Sequence, residues 1–322
     1  MSSLLFKNFL SVWLLWSIVF QIQVQSAPIS ANNKAPSFLA ISEADKYASI
    51  ATFAADAYCT GLQIGSKVGN DGKVFWKAGD GTSSQMVFIA HSPTAGIVVA
   101  HQGTNTSAAA SVEHDIRINQ VSMHTSLTKV EKKVTGGQQE KDSQPISVAA
   151  GFQNAWLQTS DEVLKQVESA RQKYPNATIT ITGHSLGAAI ALFDALAIQN
   201  QFKNATLDTV VFGMPRVGNQ QFANMVDEIL PNQKHIINKR DPVPHLPFQA
   251  LGFRQASGEI WIQPSNLTKR DAQNALSTNT VSCPGQENPD CSDTIHFGQF
   301  DLDDHDGPYF GVEMQCSVQE QA

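Results

Sequence analysis

The chain opens on an apolar stretch unlike the rest of the sequence. From Phe9 to Phe20, Leu10, Val12, Leu14, Leu15, Ile18 and Val19 stand without a charged residue, and Lys7 is the one charge before them. The run is shorter than the ~20 residues a membrane-crossing helix needs. It gives way to Gln21, Gln23, Gln25 and a small residue, Ser26, with Val24 two positions before it. Basic, apolar and small polar parts in that order predict a secretory leader over 1–26, cut after Ser26. Further on, Ala44, Tyr47, Ala48, Ile50, Ala51, Phe53, Ala54 and Ala55 fall at helical spacing, predicting a helix over 42–57 opened by Ser42. Met86–Ala90 and Gly96–Ala100 read as two strands of a hairpin turning through Ser92, Pro93 and Thr94. Residues 105–145 turn polar and irregular, and the charged piece from Lys129 to Lys133 reads as solvated loop.

The pattern then becomes regular. Thr159 with Glu162 forms a capping box for a helix ending near Tyr174-Pro175. Thr178–Thr182 is a β-branched run, Ala188–Ile198 a helix former, and Thr209–Phe212 and His235–Asn238 two further buried strands. Strands alternating with helices predict an α/β fold with a central, mostly parallel sheet covered by helices on both faces. No repeat and no Pro/Ser-rich linker divides the chain, so 27–322 reads as a single domain.

Composition agrees with a packed, extracellular domain. Of 322 residues 42% are hydrophobic and 16% charged, enough for a core and wrong for a disordered chain. The net charge of −7, without a basic stripe, gives nucleic acid nothing to bind. The four cysteines, Cys59, Cys283, Cys291 and Cys316, match no zinc-ligand spacing, and a secreted chain favours disulfides. Of three connectivities, Cys283–Cys291 is the natural local closure, with Pro284, Gly285 and Pro289 supplying turns; Cys59–Cys316 remains for the other pair. Sequons at Asn105, Asn176, Asn204 and Asn266 accord with secretion, and glycans are expected at Asn176, Asn204 and Asn266.

Candidate chemistry sits where a strand meets a helix. Thr178–Thr182 runs into Gly183-His184-Ser185-Leu186-Gly187 and then Ala188-Ala189-Ile190. A sharp strand-to-helix turn exposes its central hydroxyl at a helix N-terminus, where the dipole favours developing negative charge, making Ser185 the candidate nucleophile. A serine needs a base, and the base an orienting acid. Asp241 follows the strand His235–Asn238 and precedes Pro242-Val243-Pro244, at the strand edge where sites form in open α/β sheets. Asp227 and Glu228 are its rivals in a helix before Pro231. Of the histidines after Asp241, His245 is too near in a proline-rich turn. His296, between Ile295 and Phe297, reads as a partly buried structural residue, and His305, in a turn-rich loop, is the favoured base.

These residues resemble the secreted filamentous-fungal lipases of lipase class 3, an α/β-hydrolase group that also contains feruloyl esterases. The resemblance covers roughly 45–316. It rests on Gly151-Phe152-Gln153, the 183–187 pentapeptide, Phe212-Gly213-Met214-Pro215-Arg216-Val217-Gly218-Asn219, Asp241 through Pro247, Gly258 through Ile262, and Asp304-His305 with Tyr309-Phe310-Gly311. It implies an α/β-hydrolase fold with Ser185, Asp241 and His305 as the triad, and its disulfide habit matches Cys59–Cys316 and Cys283–Cys291. The oxyanion hole would use the N–H of Leu186 and that of Thr104, which stands where the family has Ser or Thr, after Gly103. Residues 105–116 occupy the place of the family's lid, but Asn-Thr-Ser-Ala-Ala-Ala-Ser-Val-Glu-His-Asp-Ile is small and only weakly apolar. That composition favours partial glycerides or short acyl esters over long-chain triglycerides.

The implied protein is a secreted, monomeric lipase without metal or cofactor. It would cleave acylglycerols or other esters at a lipid–water interface through an acyl-enzyme, with no integral membrane segment. Hydrolysis requires neutral His305 and is lost on acidification. A feruloyl-type carboxylesterase, a mono/diacylglycerol lipase or a phospholipase A1 would use the same triad. A non-catalytic binding protein on this fold is disfavoured because serine, acid and histidine are all present.

Overall fold

The computed structural model describes residues 35–104, 118–127, 144–264 and 279–316. The expected leader, the 105–116 segment, the Lys129–Lys133 run and the sequons at Asn105 and Asn266 lie outside them. In chain order the elements are β1 (Ser37–Phe38), α1 (Ile41–Asp56), β2 (Lys67–Val68), β3 (Gly72–Ala78), β4 (Val87–Ser92), β5 (Gly96–His101), β6 (Gln120–Ser122) and β7 (Ser147–Ala149). There follow α2 (Ala150–Leu157), α3 (Ser160–Lys173), β8 (Ile179–Gly183), α4 (Leu186–Gln201), β9 (Leu207–Phe212), β10 (Gly218–Asn219) and α5 (Gln220–Ile229). The last are β11 (Lys234–Asn238), β12 (Phe253–Arg254), β13 (Glu259–Ile262) and β14 (Thr280–Cys283).

Ten of these strands form one sheet in the order β1-β14-β13-β11-β9-β8-β5-β4-β3-β2. Its centre is parallel, from β5 through β8, β9 and β11 to β13. Both margins are antiparallel, and the β4–β5 hairpin pairs Val87 with His101 and Ser92 with Gly96. The β6, β7, β10 and β12 strands make a separate small sheet.

Hydrophobic alternation decides which layer covers which face. Ile97, Val99, Ile179 and Ile181 turn toward Phe152 and Trp156 of α2, Val163 and Val167 of α3, the apolar length of α4, and Phe222 and Val226 of α5. On the other face, Tyr47, Ile50, Ala51 and Ala54 of α1 pack on Val210, Phe212, Ile236 and Ile260. Phe53 and Ala57 pack on Val74, Phe88, Val98 and Ala100. The α/β-hydrolase architecture with helices on both faces is thus present. No helix among the described residues is long and apolar enough to cross a membrane.

Two local expectations are corrected. Helix α1 starts at Ile41 with Ala40 in the capping place and no side-chain cap, so Ser42 lies inside the first turn. Helix α3 starts at Ser160, but Thr159 makes no side-chain cap bond. Glu162 instead accepts from Gln166 at 2.7 Å and Lys165 at 3.4 Å, so the box is never closed.

Disulfides join Cys59 to Cys316 and Cys283 to Cys291. The first ties the segment after α1 to the chain's far end; the second closes a loop behind β14. Asn176 and Asn204 are exposed on the turns after α3 and α4.

Candidate active site

Strand β8 delivers the chain to Gly183, and α4 begins three residues later at Leu186. The reversal falls on Ser185, which adopts φ 58°, ψ −127°. A non-glycine residue held there stores backbone strain that the surroundings must impose. Here they do so by clearance. A Cβ on Gly183 would come within 2.4 Å of the Gly187 carbonyl oxygen, and one on Gly187 within 2.4 Å of the His101 carbonyl oxygen. Both glycines are therefore required for strand β5, strand β8 and helix α4 to close on the turn. The Ser185 N–H donates to the Phe212 carbonyl at the end of β9, 3.0 Å away. Leu186 is buried, and as the first residue of α4 its N–H has no carbonyl one turn earlier in the helix.

Gly103 and Thr104 leave β5 directly above this turn. A Cβ on Gly103 would sit 2.5 Å from the His184 carbonyl oxygen and 3.0 Å from the Ser185 Cβ, so the half-buried Thr104 follows a backbone pressed against the Ser185 turn. Gln102 fastens the loop twice to Met86, just ahead of β4: its N–H donates to the Met86 carbonyl at 2.8 Å, and its Oε1 accepts from the Met86 N–H at 2.9 Å.

Asp241 and His305 approach from loops 64 positions apart in sequence. The His305 Nδ1–H donates to Asp241 Oδ2 at 2.9 Å, and both side chains are buried. The second carboxylate oxygen accepts from the Val243 N–H at 2.9 Å. The flanking residues are fastened as well. Asn238 Nδ2 donates to the Asp304 carbonyl at 2.8 Å, Lys239 pairs with the Asp304 carboxylate at 3.1 Å, and the Arg240 N–H donates to it at 3.2 Å. The imidazole reaches the strand edge over Gly213, at φ +54°, where a Cβ would meet His305 Cε1 at 2.9 Å and the Tyr309 hydroxyl at 2.7 Å.

Three residues to which the sequence pattern gives no chemical role link the two halves. The Tyr309 hydroxyl donates toward Asp241 Oδ2 at 3.2 Å and the His305 carbonyl at 3.1 Å. The His184 Nε2–H donates to the same carbonyl at 2.8 Å, while its Nδ1 accepts from the Tyr58 hydroxyl at 2.7 Å. The Tyr58 oxygen in turn accepts from the Gly103 N–H. Burial, then the neighbouring His305, hold His184 well below the usual histidine range, so it stays neutral with the proton on Nε2. Burial raises both phenols, Tyr309 further through Asp241 and Tyr58 through Asp306, which keeps both hydroxyls as donors. The position before the serine and the tyrosine four residues after His305 were the available signals for two of these. Tyr58 has none, being brought in by the fold.

The rivals are accounted for by their contacts. Asp227 accepts from the N–H and hydroxyl of Ser257 at 2.7 and 2.8 Å, and Glu228 lies beside it on α5. His245 faces Asp293 at 3.4 Å and stacks on Phe300. His296 is exposed, contrary to the partly buried position expected, because it caps the short helical turn Phe297–Gln299. Arg216, buried in the 212–219 stretch, pairs with both oxygens of Glu287 at 2.7 and 2.8 Å and donates to the His245 and Pro247 carbonyls, tying down the loop behind Asp241. Glu259, Cys283 and Cys291 bring ligand-type atoms together, but the two sulfurs are bonded to each other and offer no thiolate.

A family description, lipase (class 3), matches residues 98–251. The chain is 34% identical over 277 residues to the secreted mono- and diacylglycerol lipase MDL2 of Malassezia globosa, spanning 85% of this chain and 84% of that one. To the secreted mono- and diacylglycerol lipase 3 of Gibberella zeae it is 36% identical over 273 residues, spanning 80% and 78%. Among solved structures, the triacylglyceride lipase of Rhizomucor miehei matches with a TM-score of 0.72 at 24% identity, over 88% of this chain and 100% of that one. The Lip2 lipase of Yarrowia lipolytica matches at 0.71 and 24% identity, over 88% and 99%. At that identity the likeness is one of fold.

Proposed function

The chain belongs to the class 3 lipase family, and from that premise we propose that Ser185, His305 and Asp241 are the nucleophile, base and orienting acid of a secreted lipase hydrolysing acylglycerols. One observation carries the residue assignment. The Ser185 N–H is bonded to the Phe212 carbonyl, and the His305 ring lies against the next residue, Gly213. Two remote segments thereby meet at the end of one strand.

The chemistry derives from that meeting. With its Nδ1–H committed to Asp241, His305 has Nε2 free to take the Ser185 proton. The Ser185 Oγ attacks the ester carbonyl carbon, and the N–H groups of Leu186 and Thr104 hold the resulting oxyanion. The tetrahedral intermediate collapses, His305 gives its proton to the departing alcohol oxygen, and the acyl group stays on Ser185. Water, deprotonated by His305, repeats the sequence and releases the fatty acid. Asp241 remains a carboxylate throughout and supports the imidazolium.

Partial glycerides are the substrate class we favour. The 105–116 segment is small and weakly apolar, and the Malassezia globosa and Gibberella zeae relatives are both described as mono- and diacylglycerol lipases. A lipid–water interface supplies the substrate. Phe248 and Leu251, beyond Asp241, and Phe297 and Leu302, before His305, are 45%, 54%, 79% and 46% exposed on the loops that carry the acid and base. Apolar side chains on such loops suit contact with lipid.

The test is the initial rate on monoolein, diolein and triolein emulsions, and on tributyrin through its solubility limit, with Ser185→Ala alongside. The expected result is faster turnover of mono- and diolein than of triolein. Ser185→Ala should lose about 10⁴-fold or more in kcat while keeping its circular dichroism. Wild-type rates in Ser185→Ala would overturn the triad, and a preference for triolein would overturn the substrate class.

A further inference from the structure

A second histidine–carboxylate pair lies in the core, away from the triad. His101 is the last residue of β5, and its Nε2–H donates to Asp194 Oδ2 at 2.7 Å. The other oxygen of Asp194 accepts from the indole N–H of Trp156, also at 2.7 Å. His101 and Trp156 are each 1% exposed, and Asp194 is fully buried. Trp156 comes from α2, where its ring packs on Phe193 next to the carboxylate. A polar trio at this depth gives up its hydration, and apolar residues of similar volume commonly pack as stably, so such a group is more readily explained by geometry than by stability.

What the trio joins gives it a use. His101 is followed by Gln102, Gly103 and Thr104, the loop that brings one oxyanion donor. Asp194 stands nine positions after Ser185 on α4, the helix whose first residue, Leu186, brings the other. The two donors are thus mounted on separate elements, a strand end and a helix, and the His101–Asp194 bond fastens one to the other. Two further observations fix the fit at that point. His101 is in register with Gly183 across β5 and β8. Its carbonyl lies so close to Gly187 that a Cβ there would approach to 2.4 Å. A shift of β5 along α4 would therefore displace Thr104 relative to Leu186.

We infer that His101, Asp194 and Trp156 are positioning residues that set the spacing of the oxyanion hole, His101 and Asp194 directly and Trp156 by holding the carboxylate's orientation. This inference rests on the proposed hydrolase function. A positioning role of this kind acts on the tetrahedral intermediate, whose charge the hole receives, and leaves substrate binding untouched.

The experiment compares wild type with His101→Leu/Asp194→Leu, Trp156→Phe and His101→Gln, the last keeping a donor for the carboxylate. Each is measured for kcat and KM on monoolein, for inhibition by an alkyl boronic acid that forms a tetrahedral adduct on serine, and for Tm. The double variant should lose about 30-fold in kcat with KM within twofold, and boronate affinity should fall by a similar factor. Trp156→Phe should lose less, and His101→Gln should recover most of the rate. If the double variant does not fold, the single variants carry the same comparison. A lowered Tm with unchanged kcat and boronate affinity would leave the trio merely structural and overturn the inference, as would a rise in KM alone. Wild-type activity in Ser185→Ala would remove the underlying hydrolase function instead, a result separable from either.

Discussion

The two halves of the proposed site, one around the candidate nucleophile and one around the candidate acid and base, are held in shape by different means. The nucleophile half is one stretch of chain, β8, the turn at Ser185 and α4, and its geometry is a matter of backbone contact: Gly183, Gly187 and Gly103 admit no Cβ because carbonyl oxygens of neighbouring segments lie within 2.5 Å. The acid–base half is gathered from loops far apart in sequence and held by side chains. Tyr309 reaches Asp241, Asn238 reaches Asp304, and Arg216 reaches Glu287 and the carbonyls behind Asp241. Backbone contacts cannot yield without moving a strand, whereas a side-chain bond can be removed singly and its neighbours remain. The first half should fail abruptly and the second by degrees.

Gly183→Ala is the severest way to probe that difference. Its Cβ would meet the Gly187 carbonyl at 2.4 Å, and since neither backbone segment can rotate away, kcat should fall about 100-fold or more and stability by ~1–3 kcal/mol. Assays with monoolein and a thermal melt measure both. A loss as small as that of a single side-chain bond would break the distinction.

Glu259→Gln tests the frame behind the acid–base half. Glu259 is buried at the start of β13, accepts from the Ser292 N–H at 3.0 Å, and is pushed up to about 7, chiefly by burial. The folded form holds its proton between about 4.5 and 7 while the unfolded chain has released it, so stability falls as pH rises through that window and stays lowered above it. Glutamine keeps the accepting oxygen without the charge. The variant should therefore be more stable than wild type at pH 8, by on the order of 2 kcal/mol, and equal to it near pH 4.5. Urea titrations at the two pH values decide the matter, and equal gains at both would exclude charge burial as the cause.

Tyr309→Phe is the mildest. Asp241 keeps its bonds to His305 and Val243, so the lost hydroxyl should cost ~1 kcal/mol in stability and about tenfold in kcat. A collapse comparable to Gly183→Ala would mean that the acid–base half is as brittle as the nucleophile half.

The same contrast governs what could be read from the sequence. The nucleophile turn is local: a β-branched run, a glycine-flanked serine and an apolar helix are adjacent, and the structure sets β8 and α4 around the expected residues with ends shifted by a few positions. That Asp241 and His305 would meet was legible, because strand ends and turn-rich loops narrow the choice. Their fastenings were not, since Tyr58, Arg216 and Glu287 acquire meaning only once the chain has folded. Local rules also failed where another partner competed, as Glu162 did in bonding Gln166 and Lys165 instead of closing a box with Thr159. Strands β2 and β3, at the antiparallel margin, have no counterpart in the hydrophobic pattern, because a partly solvated strand alternates weakly.

The bond between Cys59 and Cys316 makes one covalent ring of nearly the whole fold, joining residues 257 apart in sequence. A protease that cuts a single exposed turn inside that ring releases no fragment. The nicked molecule gains only the water of hydrolysis, both site halves stay tethered, and the cut is visible on a gel only after reduction. For a secreted enzyme, a first cleavage then becomes an injury that leaves the pieces joined.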